Sequence, residues 1–154
     1  MFRVEADSVA GYLGFDPARQ ADLKKLDALI RKAAPGLKRY FHNGTPAGQP
    51  GMRFKMIGYG RFHYVAAGAT VEWPVIGVAL QKNYISVYLT ITKGGRPIVP
   101  PYAGKLGAKK SAKFNFSFEK FDDLNAEAVS VLFANVADIY EADPTNPVRL
   151  KQRE

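Results

Sequence analysis

Tyr84-Ile85-Ser86-Val87-Tyr88-Leu89-Thr90-Ile91-Thr92 alternates strictly between aliphatic residues and polar or aromatic ones. A period of two sends successive side chains to opposite faces of a strand, so Ile85, Val87, Leu89 and Ile91 form a row to be buried. Tyr84, Ser86, Tyr88, Thr90 and Thr92 form the opposite, polar-aromatic face. A pairing slip of one residue would put the whole aliphatic row into water, which makes the register firm. Upstream, Lys82-Asn83 is a tight link to a strand in which Ile76, Val78 and Leu80 share a face. Phe54 and Met56 alternate with Arg53 and Lys55, and Phe62, Tyr64 and Ala66 with Arg61 and His63, so the intervening Gly58-Tyr59-Gly60 predicts a hairpin turn. Gly68-Ala69-Thr70 and Trp73-Pro74 predict a further connection, and residues 43–51, with three Gly and two Pro, a loop. Downstream, Phe114, Phe116 and Phe118 alternate with Lys113, Asn115 and Ser117, a short strand whose three phenylalanines belong to the core.

Helices bracket these strands. Ser8 to Leu13 predicts a short turn capped by Asp7 or Ser8. Asp16-Pro17 is a helix start, because the carboxylate accepts from free amides and a first-turn Pro gives up no needed donor. That helix is expected to run to about Ala34, with Leu23, Leu26, Ile30, Ala33 and Ala34 inward. Asn125 caps a final helix in which Val129, Leu132, Phe133, Val136 and Tyr140 recur at helical spacing before Asp143-Pro144 and Asn146-Pro147. Two helices around five or six mostly sequential strands, without alternating strand–helix units, imply an α+β fold. The sheet is expected to be antiparallel, with the helices covering one face. The 154 residues suit one domain over 1–147 with a polar, frayed tail over 148–154.

Cysteine is absent, which excludes disulfides, thiolate metal sites and thiol nucleophiles. Glu5 and Asp7 stand where a signal peptide needs basic and apolar residues, and no run of about 18 apolar residues occurs. The expectation is a soluble cytoplasmic chain with no membrane partner. The net charge of +8 comes in blocks. Residues 19–39 carry seven basic side chains against two acidic. Residues 93–113 carry Lys93, Arg96, Lys105, Lys109, Lys110 and Lys113 with no acid, and residues 119–143 hold seven acids against Lys120 alone.

Unpaired cations close together raise a potential that an anion relieves. With tyrosines as contact area, the candidate ligand residues are Tyr84, Tyr88, Lys93, Arg96, Lys105, Lys109 and Lys110, and the expected partner is an anionic small molecule or an acidic protein. The plainer uses of the same features are hydrated lysines that confer solubility and a wet or homodimeric sheet face. No recognition helix or RNP-like motif accompanies the charge, which argues against specific nucleic-acid binding. Gly104 to Ser111 is not a Walker A loop, since Lys109 rather than Gly stands five positions after Gly104 and a strand follows. His42 and His63 lack metal-ligand spacing, Asp122-Asp123 suits the positive end of the following helix, and no nucleophile motif nominates a catalytic residue.

Ala28-Leu29-Ile30-Arg31-Lys32-Ala33-Ala34-Pro35-Gly36, Lys82-Asn83-Tyr84-Ile85-Ser86-Val87-Tyr88-Leu89, and Gly107 to Phe114 leading into Phe121-Asp122-Asp123-Leu124-Asn125 resemble the YdhG-like family, a domain of unknown function, over roughly residues 5–140. The resemblance implies a sheet between an N-terminal and a C-terminal helix. It also implies an alternative role, because some members are described as frataxin-like iron chaperones. Iron would then be held by surface acids such as Asp16, Asp22, Asp27, Asp122 and Asp123, as hard cations favour oxygen ligands. The chain departs from commoner family members in the Gly/Pro-rich residues 43–51 and in Tyr84, where a histidine is frequent, and its basic first long helix departs from the carboxylate-bearing helix of a frataxin-type iron surface. The first expectation carries no cofactor.

Overall fold

Ile85, Val87, Leu89 and Ile91 are each 0% exposed, as their alternation requires. The computed structural model describes residues 2–45, 48 and 54–152. In chain order the elements are α1 (Val9–Gly14), α2 (Gln20–Ala33), β1 (Arg39–His42), β2 (Met56–Ala66), β3 (Ala69–Leu80), β4 (Ile85–Leu89), β5 (Thr92–Lys93), β6 (Arg96–Pro97), β7 (Lys110–Ser111), β8 (Asn115–Phe118), α3 (Ala126–Ala142) and α4 (Asn146–Gln152). Short 3₁₀ turns cover Pro100–Tyr102 and Phe121–Asp123. The six-stranded sheet runs β1-β2-β3-β4-β8-β7 with every pair antiparallel, and β5 and β6 form a separate hairpin. The fold is therefore α+β with an antiparallel sheet, as expected.

Register puts Ile76, Val78 and Leu80 opposite Leu89, Val87 and Ile85, and Ile85 and Val87 opposite Phe118 and Phe116. This continuous apolar face meets α2 and α3. The Tyr59 hydroxyl donates to Asp27 of α2 at 2.6 Å, and the Phe116 ring lies 6.3 Å from that of Phe133 in α3. Ser8 and Asn125 cap α1 and α3 as anticipated, accepting from the Gly11 and Ala128 amides.

Several expectations are corrected. Gly58-Tyr59-Gly60 is no turn but the middle of β2, and Trp73-Pro74 lies inside β3. The chain reverses at Ala67-Gly68, where both φ values are positive (51° and 78°), the conformation that lets a two-residue link follow the twist of its strands. Gly58 is needed for another reason: the Tyr40 ring of β1 lies where a Cβ would stand. Glycine that makes room for a cross-strand ring looks, in sequence, like glycine that turns the chain.

Asp16 caps a separate turn, accepting from the Ala18 amide at 3.0 Å, and α2 begins only at Gln20. Ala33 is only half-buried, and Phe114 precedes β8 and is likewise half-buried. The described residues 148–152 of the expected tail belong to α4 (Asn146–Gln152), and residues 153 and 154 lie outside the described residues. Val148 packs against the core, the Lys151 ammonium lies 4.7 Å from the Trp73 ring centre, and the Asn146 amide clamps the Thr92 backbone from both sides. The expectations on Pro46, Ala47, Gln49, Pro50, Gly51 and Arg53 lie outside the described residues. Among the described residues no helix is long and apolar enough to cross a membrane.

Candidate functional site

The basic segment is pinned rather than loose. Ile98, Val99 and Leu106 are buried, and the Asn125 amide donates to the Leu106 carbonyl at 2.8 Å. Gly107 allows this joint, with φ of 73° and the Asp123 carbonyl where its Cβ would be. The result is a cavity of about 910 Å³ between residues 93–105 and α3. Lys93 and Arg96 are register partners across the β5–β6 hairpin, so both side chains leave on one side. Lys105 follows the Pro100–Tyr102 turn, its amide donating to the Tyr102 carbonyl at 2.9 Å. On the other wall Ala128, Val131 and Asn135 form one helical stripe, with Glu127 beside it. Asn135 donates to the Tyr102 hydroxyl at 2.6 Å and joins the two walls. Among the described residues no carboxylate pairs with Lys93, Arg96 or Lys105.

The seven candidate ligand residues do not form one site. Tyr84, Tyr88, Lys109 and Lys110 line a second depression of about 490 Å³, together with Ser86, Asn115 and Ser117. Pairing of Ser86 with Ser117, Tyr88 with Asn115 and Lys110 with Ser117 brings them to one sheet face. Arg19 positions Tyr84 by donating to the Gln81 and Tyr84 carbonyls at the β3–β4 link. Here Lys109 is engaged by Glu119 at 2.8 Å. Tyr88 is half-buried against Phe54, ring centres 5.8 Å apart, and burial raises its phenol above the usual range. Tyr84 remains exposed.

What residue-by-residue reading missed is the apolar lining of the first cavity: Ile98, Pro101, Tyr102 and Val131. Val131 carried a legible signal, since it lies off the buried stripe of Val129, Leu132, Phe133 and Val136 yet is aliphatic. It is 54% exposed.

The five acids named for iron have separate partners. Asp16 pairs with Arg19 at 2.8 Å, which holds its carboxyl below the usual range. Asp22 accepts from the Phe121 amide at 2.9 Å, and Asp122 meets Lys25 at 3.2 Å, so both tie α2 to the turn before α3. Asp27 is buried between Tyr59 and Arg39, and Asp123 closes the Phe121–Asp123 turn. Among the described residues no three His, Asp or Glu side chains are grouped so as to hold a metal ion. No protein-family model, curated protein or solved structure matches the chain.

His42 and His63 lie apart from both cavities. His42 is 2% exposed, edge-on to Trp73 at 5.5 Å and near the Tyr40 hydroxyl at 3.4 Å, with its Nε2 unbonded. Burial lowers its pKa, the nearby Arg61 lowers it further, and Glu72 opposes both. The unfolded chain therefore takes up a proton before the folded one does. Stability linked to His42 is full above the unfolded value of about 6.5 and is lost as pH falls from there towards the folded value. Chemical denaturation between about pH 8 and 5 should show this slope in the wild type and its absence in His42→Phe. Parallel curves would assign the slope to other groups.

Proposed function

We propose that the protein is a binding domain for a small anionic molecule, which it receives in the cavity between residues 93–105 and α3. The observation that carries this is the convergence of Lys93, Arg96 and Lys105 on a cavity in which none of the three has a carboxylate partner among the described residues. Three neighbouring cations repel one another, and an anion placed among them removes that repulsion. Apolar residues in the same walls exclude part of the water, which strengthens each remaining ionic hydrogen bond. The volume lies in the range of ordinary small-molecule sites. Binding, rather than catalysis, is the role these groups suit, because the cations supply attraction and no activated nucleophile accompanies them.

Thermal denaturation at constant ionic strength tests this with acetate, inorganic phosphate and octanoate as probes. At least one anion should stabilise the wild type saturably, by about 2.7 kcal/mol once its concentration reaches about 100 times Kd. The response should disappear in Lys93→Ala/Arg96→Ala/Lys105→Ala and persist in Lys109→Glu/Lys110→Glu, whose lysines lie in the other depression. Equal responses in the wild type and the triple variant, or none to any probe, would remove the proposal.

A further inference from the structure

We infer that the anion is an aliphatic monocarboxylate of about eight carbons, an inference that rests on the anion-binding role proposed above. Three features of the cavity carry it. The first is the mixed lining: the cations come from the β5–β6 hairpin and position 105, and Pro101, Tyr102 and Val131 add apolar surface from both walls. An inorganic anion would leave that lining in water. Val131, a large aliphatic side chain 54% exposed, has no folding role that requires it, and an alkyl chain laid on it would recover the burial it lacks.

The second feature is Glu127, on the α3 wall and without an ion-pair partner among the described residues. A carboxylate there disfavours a second anionic group on the ligand and any multiply charged phosphate that reaches across the cavity. One charged head with a neutral body supplies the cations with a counter-charge and presents no second one to Glu127. The third feature is length. The stripe from Ala128 to Asn135 spans about 10 Å at 1.5 Å per residue, the length of an extended chain of about eight carbons.

A chain-length series decides the matter. Sodium acetate, butanoate, hexanoate, octanoate and dodecanoate, each below its micelle concentration and at equal ionic strength, are titrated calorimetrically into the full chain, alongside inorganic phosphate. Affinity should rise by up to about fourfold per added methylene and level off near eight carbons. Val131→Gln, a neutral change at an exposed helical position, should weaken octanoate at least fivefold and leave acetate and phosphate unchanged. Pro101→Ser, on the opposite wall, should act in the same direction. If acetate or phosphate binds through Lys93, Arg96 and Lys105 but affinity is flat with chain length, the aliphatic class is wrong and the anion site stands. If no anion binds, both fail. A series that rises equally in Val131→Gln and in the triple cation variant reports non-specific association and overturns the inference.

Discussion

Phe116→Ala is expected to lower the free energy of unfolding by about 4 kcal/mol, because deleting a buried ring removes its transfer energy and leaves a cavity its neighbours fill only in part. Phe116 is 0% exposed, pairs with Val87 in the sheet and packs on Phe133 of α3. It therefore touches both layers, and neither can close over the gap without the other. The melting temperature should fall by roughly 10 °C for a chain of this size. Phe114→Ala, at the half-buried residue before β8, should cost much less. Similar losses at the two positions, by urea denaturation, would mean that α3 is not seated on this face of the sheet.

Asp27→Ala is the second large effect, expected at about 3 kcal/mol. The side chain is 9% exposed and accepts from the Tyr59 hydroxyl at 2.6 Å and from Arg39 at 2.8 Å, with Arg31 at 3.6 Å. It thus fastens β1, through Arg39, and β2, through Tyr59, to α2. Burial, and then the adjacent Asp27 carboxylate, hold the Tyr59 phenol well above its ordinary range, so it remains a donor. Removing the acceptor leaves a buried hydroxyl unpaired, and that desolvation penalty is the larger part of the cost. Asp27→Asn keeps an acceptor of the same shape and loses the charge, so about half the penalty should return. Equal destabilisation by both substitutions would show that charge, and not the Tyr59 hydrogen bond, carries the effect.

Periodicity located the sheet well because burial acts on every second residue of a strand. Ile85 to Ile91 and the pair Phe116 and Phe118 could be read directly, and the helical stripe of Val129, Leu132, Phe133 and Val136 likewise. Glycine and proline misled, because they report a local freedom without saying which contact uses it. Gly58 yields to Tyr40, a residue 18 positions earlier, and β2 passes straight through the predicted turn. The buried Asp27 was legible only as one acid on a basic helix, since its partners come from two strands.

Within the candidate site, the cations were visible as a run without acids, but their division was not. Lys105 and Lys109 are four residues apart and line different cavities, because Leu106 is buried and Gly107 bends the chain against the start of α3. Composition and alternation alone determined the fold class, the aliphatic row beneath the helices and the supply of positive charge, as these depend only on neighbours along the chain. Which cations share a cavity, and which apolar side chains stand beside them, was decided by tertiary structure, because those distances are set by packing between segments that the linear order keeps apart.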